Sequence, residues 1–139
     1  MDYLAQLQYL GFVALSMILG GAIGYERELA NKPAGMRTHM LVSGAATLLV
    51  LLGDVLVTRF GVEFSDELIR SDPIRIIEAI VTGVAFLGAG TIIRSHGQSV
   101  VQGLTTAASL LFTAAIGICV ALQVFGLAVG GTVLVLATR

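Results

Sequence analysis

Few side chains in this sequence could do chemistry. The carboxylates Asp54, Asp72 and Glu78 adjoin long apolar runs, and their type suits a hard cation. Magnesium keeps several waters and takes one or two carboxylates, so such a trio could form an outward site, with Glu26 as an inward one. The spacing offers a plainer role as well. Arg75 stands three residues from both Asp72 and Glu78, the separation for ion pairs along one helix, and neutralised acids bind a cation poorly. His39 and His96 have no cysteine or second histidine at ligand spacing, so zinc is not expected. Cys119, the single cysteine, forbids an internal disulfide and reads as a packing residue in an apolar run. Ser109 or Thr106 as a nucleophile would need a general base, and His96 on the adjoining connection is the candidate. Hydrogen bonding across helices is the better reading of both hydroxyls, and no enzyme is expected.

The elements that must position these groups follow from composition. The 139 residues are 56% hydrophobic and 12% charged, with a mean hydropathy of +0.93. Soluble domains are about one quarter charged, so this chain could not cover its own surface in water. The lipid bilayer is its expected surroundings, and a net charge of -1 argues against nucleic acid as a partner. No basic region or cleavage pattern marks the first apolar run as a signal peptide, so residues 4–25 read as a retained span.

A span needs about 20 apolar residues. On that measure the fold is an all-α, polytopic membrane bundle of about five transmembrane helices, at about 4–25, 39–58, 73–93, 104–122 and 123–139. Pro33 and Gly35 break the first connection, where Glu26 and Arg37 place opposite charges at one membrane face and are expected to pair. Residues 60–72 carry four acids and read as a short surface helix. Asp72 and Pro73 make a helix start, as cap and first helical residue. Glu78 then lies roughly 8 Å into the third helix, at a depth similar to that of Asp54. Residues 97–138 contain no charge, too long a run for one span, so the chain must fold back within it. The fifth helix is short, and a natural protein is expected to continue beyond it.

Small residues mark the faces where these helices should touch, because helix association in lipid depends on close backbone approach. Ser16, Gly20 and Gly24 step by four in the first helix, and Ser109, Thr113, Gly117 and Ala121 do so in the fourth. Residues 43–47 form a small-residue patch in the second, and Gly126 and Gly130 repeat the device in the fifth. Residues 82–94, TGVAFLGAGTIIR, read as an interior face. Their glycines do not make a dinucleotide loop, which needs a preceding soluble strand and a later acidic residue. With five spans, Arg27, Lys32, Arg37, Arg94 and Arg139 share one side and Arg59, Arg70 and Arg75 the other. The positive-inside rule then gives N-terminus out and C-terminus in.

Read together, GYERE (24–28), AGMRTHMLVSGAA (34–46), DPIRI (72–76), IVTGVAFLGAGTIIR (80–94) and VQGLTTAASL (101–110) resemble the bacterial MgtC/SapB membrane-protein family. The match covers the first four helices and their junctions. It implies an inner-membrane protein of about five spans, often followed by a cytoplasmic domain resembling the ACT fold, which is not expected within these 139 residues. The resemblance further implies a regulator linked to low-magnesium adaptation, survival of pathogens inside macrophages (virulence), or acid stress. Its partners would be other membrane proteins such as ATP synthase. By motif position the residues carried over are Glu26, Arg27, Gly35, Arg37, Thr38, Asp72, Arg75, Gly83, Gly88, Gly90, Gly103, Thr105 and Thr106. Ala85 departs from the pattern, which commonly has glycine there.

Two functions are in view. The first is a non-enzymatic regulator, a homo-oligomer and most simply a dimer, that binds through its small-residue helix faces. The second is a channel or transporter for magnesium or another cation, with Asp54, Asp72 and Glu78 as its site. No cofactor is expected beyond magnesium as a ligand or substrate. Regulation is favoured, because no residue suited to relaying an ion lies at mid-membrane apart from serines, threonines and backbone groups.

Overall fold

The computed structural model describes residues 2–60, 73–94 and 101–138. Among these, five helices run in order: α1 (Tyr3–Leu29), α2 (Met36–Phe60), α3 (Pro73–Gly90), α4 (Leu104–Ala121) and α5 (Phe125–Ala137). Between α3 and α4 the two-residue strands β1 (Ile93–Arg94) and β2 (Val101–Gln102) pair antiparallel, Ile93 opposite Gln102. The fold is therefore the expected all-α bundle. Tyr3–Leu29, Met36–Arg59 and Leu104–Ala121 are long and apolar enough to cross a bilayer, and Phe125–Ala137 is a shorter apolar helix. The connection expected to be a surface helix lies outside the described residues, as do Asp72 and His96.

Helix ends differ from the sequence expectation for local reasons. α1 continues past residue 25 through Glu26, Arg27 and Glu28, which are good helix formers that tolerate the interface. It ends where Asn31 takes φ +52. α2 starts at Met36 rather than 39, because the Glu28 carboxylate accepts the Met36 N–H at 2.9 Å and supplies the cap. α3 stops at Gly90 instead of continuing to 93. There the Thr91 hydroxyl donates to the Gly88 carbonyl at 2.7 Å, and the chain turns into β1. Gly103 precedes α4 at φ +93, with its α-carbon against the Thr91 carbonyl, so only glycine fits there. α5 begins at Phe125 rather than 123, since Gln123 adopts φ +60 in the turn.

The core sits on α4, which is uncharged and buries residues on several sides, among them Leu110, Ala114, Ile116, Ile118 and Val120. A helix apolar all round belongs at the centre. One core cluster joins Leu110, Ala114 and Ile118 to Val42 and Ala46 of α2 and to Ile80 and Val84 of α3. A second joins Ile116 and Val120 to Ile23 of α1 and Ala128 of α5. The outer faces carry exposed leucines such as Leu7, Leu10, Leu41, Leu49, Leu127 and Leu134, as lipid contact requires.

The small-residue ridges of α1 and α4 pack as expected. A side chain on Gly20 would meet the His39 carbonyl at 2.7 Å, and one on Gly24 the Met36 α-carbon at 2.6 Å. Gly117 lies against the Ser43 carbonyl of α2. The expectation for α5 needs correction. Gly126 and Gly130 have nothing within 4 Å, whereas Ala128 and Thr132 are buried and Gly131 faces the Phe112 ring at 3.2 Å. Residues 82–94 are likewise only partly interior: Gly88 packs on Ala107 at 3.1 Å, but Gly83 and Gly90 stand open.

These contacts separate two glycines of similar sequence setting. Gly117→Val forces a methyl group toward a backbone carbonyl that cannot swing away, and should cost about 1–3 kcal/mol. Gly130→Ala should leave the melting temperature in detergent equal or higher, because the added carbon enters open space. Equal melting of the two variants would contradict this packing.

Candidate functional site

Polar side chains inside a membrane bundle concentrate where α2 meets α4. His39, Ser43 and Thr47 step by four along α2, and Ser109 and Thr113 lead to Gly117 by the same step in α4. All five side chains are buried, four of them with no exposed surface. The His39 Nε2 lies 3.0 Å from the Ser109 Oγ, and the Thr47 hydroxyl donates to the Gly117 carbonyl at 2.8 Å. Both pairs are separated by 70 residues. A constant offset means that α2 and α4 run parallel in fixed register, with contacts about 12 Å apart along the axes.

Protons in this seam can be counted. The His39 Nδ1 is 2.9 Å from the Gly35 carbonyl, which only accepts, so Nδ1 carries the hydrogen. The Ser109 hydroxyl lies 2.8 Å from the Thr106 carbonyl and also within reach of Nε2. Its single hydrogen serves one or the other while the ring is neutral. A protonated ring would instead donate to Ser109 and free that hydroxyl for Thr106, giving every contact its own hydrogen. The Thr113 hydroxyl donates to the Ser109 carbonyl at 2.8 Å. The Ser43 and Thr106 hydroxyls are buried without a hydrogen-bond partner among the described residues.

Among the described residues the histidine that reaches Ser109 is His39, while His96 lies outside them. Sequence reasoning missed it, having treated residues 43–47 as a patch of small residues. The available signal was the matching four-residue polar step in the second and fourth helices.

The motif residues at the α1–α2 turn form a second group. The Glu26 carboxylate pairs with its neighbour Arg27, Nε to Oε2 at 3.1 Å, in a contact of charges without hydrogen-bond alignment. The expected Glu26–Arg37 pair does not form: Arg37 and Thr38 point outward, exposed. Gly35 lies against the Glu28 carboxylate that caps α2, where a side chain would meet Oε2 at 2.7 Å. Gly103 shapes the start of α4, Thr105 is exposed and Thr106 is buried.

The acids at the other end are held differently. Tyr9 of α1 donates its hydroxyl to Asp54 Oδ2 at 3.2 Å. Asp54 also lines a cavity of about 260 Å³ together with Ile76 and Ile77, the residues just before Glu78 in α3. Glu78 itself is exposed, and neither it nor Arg75 makes an ion pair among the described residues. Among those residues no three His, Cys, Asp or Glu side chains form a group that could hold a metal ion.

If the seam couples α2 to α4, then Ser109→Ala and His39→Ala should be non-additive. A double-mutant cycle on detergent melting should give a coupling of about 0.6–2 kcal/mol. Additive losses would mean that the two side chains are neighbours without an energetic link.

Comparison with known proteins follows the same outline. The model of the MgtC family matches residues 13–139. The chain is 40% identical over 126 residues to the protein named "Putative magnesium transporter YhiD" of Escherichia coli (strain K12), covering 88% of this chain and 54% of that one. It is 37% identical over 128 residues to "Protein MgtC" of Brucella abortus, covering 91% and 48%. With "Protein SapB" of Bacillus subtilis it shares 33% over 106 residues, 76% and 44%. The chain spans about half the length of the curated relatives it matches. No solved structure gives a significant match.

Proposed function

The chain belongs to the MgtC family of membrane proteins, and from that premise we propose that it is a non-enzymatic regulator of the bacterial inner membrane that works by contact with other membrane proteins. The settings would be those the resemblance implies: low magnesium, intramacrophage survival or acid stress. Its orientation would be N-terminus out and C-terminus in, with no cofactor. The observation that carries this reading is on α5. Gly126 and Gly130 have nothing within 4 Å, and they share their helix with exposed Leu127, Val133 and Leu134. Small residues beside leucines let a second helix approach closely, and this surface is left open by the described residues. A second copy or another membrane protein would fit it. The polar seam supports the same reading, since His39 with Ser109 and Thr47 with the Gly117 carbonyl join α2 to α4.

A second reading, cation transport, draws on Asp54 at its small cavity and on the name printed for the YhiD relative. The two readings part in liposomes. A regulator should give magnesium flux no greater than empty vesicles, and the double variant Gly126→Leu with Gly130→Leu should lose association while melting normally. Flux that disappears in Asp54→Asn would put transport first. Unchanged association in the glycine variant would remove α5 as the contact surface.

A further inference from the structure

A cavity lies between α2 and α3, apart from the polar seam and from Asp54. The two helices meet closely at one end, where Gly53 has no side chain and Ile76 Cδ1 fills the space. Elsewhere they leave a groove of about 800 Å³, reaching from Leu41 to Leu56 on α2 and from Arg75 to Leu87 on α3. The 15 helical steps from Leu41 to Leu56 make it roughly 22 Å long. Its floor is the buried Val42, Ala46, Ile80 and Val84, and its sides are leucines exposed toward lipid.

Among the described residues every lining residue is apolar or glycine except one, Arg75. That guanidinium stands two residues inside the start of α3, exposed, and makes no ion pair among the described residues. A long apolar slot with a single cation at its interfacial end matches an amphiphile with an anionic head.

We propose that this groove is a binding site for an anionic phospholipid, one acyl chain lying between α2 and α3 and the phosphate on Arg75. Arginine suits that phosphate because its planar fork donates two hydrogen bonds at once. A single cation at the end of an otherwise apolar slot favours a lipid over a helix as occupant. The open Gly83, with nothing within 4 Å, leaves room for the chain along α3.

The test is retention of phosphatidylglycerol against phosphatidylcholine by the purified protein, read by native mass spectrometry. Wild type should keep phosphatidylglycerol preferentially. Arg75→Gln should lower that retention about tenfold while leaving phosphatidylcholine unchanged, as loss of a charged hydrogen-bond donor predicts. Arg75→Lys, which keeps the charge, should fall between. Gly83→Leu, which fills the groove without touching the charge, should lower retention of both lipids. An undiminished phosphatidylglycerol preference in Arg75→Gln would overturn the proposal. So would equal protection from thermal unfolding by inorganic phosphate alone, or a Gly83→Leu variant that splits a dimer yet keeps its lipid.

Discussion

Hydrocarbon offers no hydrogen bonds, so each polar group carried into it must find its partner within the protein. In this chain that constraint falls mainly on α2 and α4. His39, Thr47, Ser109 and Thr113 are buried there, and they bond across the seam or back onto helix carbonyls, while the Ser43 and Thr106 hydroxyls are buried without a partner among the described residues. Once the 70-residue register is set, the rest follows. Gly117 must be small because the Ser43 carbonyl lies against it, and Gly20 and Gly24 must be small so that α1 can cover the other side of α2. α3 and α5 then pack on the remaining sides of α4.

The arrangement divides the molecule into a tightly held part and a looser one. α1, α2 and α4 form the first, with backbones close enough that a single methyl group would collide. α3 belongs to the second, touching α2 at Gly53 and Ile76 and α4 at Gly88 and Ala107 while leaving the long groove between. α5 carries its own unused glycines. A rigid centre with open apolar margins suits a protein that presents surfaces to lipid and to other membrane proteins.

Much of this was legible in the residues. The five helices follow from apolar run length, and the contact faces of α1 and α4 from small residues at steps of four. The family was readable from joined motifs such as GYERE and VQGLTTAASL. What escaped did so for physical reasons. Glycine marks permission for close approach without naming the partner, so Gly126 and Gly130 looked like packing positions although the packing falls on Ala128, Gly131 and Thr132. Charge order along the chain suggested Glu26 with Arg37, but Glu26 contacts its chain neighbour Arg27 and Arg37 is exposed. His39 was missed as a site residue because its partner lies 70 positions away and only the matching four-residue polar step links the two helices.

The parallel register of α2 and α4 is the central claim, and spin-label distances test it most directly. With Cys119 replaced by serine, labels can be placed in pairs at the exposed positions Leu41 with Leu111 and Leu52 with Leu122. Both pairs should give similar short distances, and the crossed pairs Leu41 with Leu122 and Leu52 with Leu111 longer ones, since 11 residues of helix displace a label by about 16 Å. Crossed pairs as short as the matched ones would contradict the parallel seam on which the account is built.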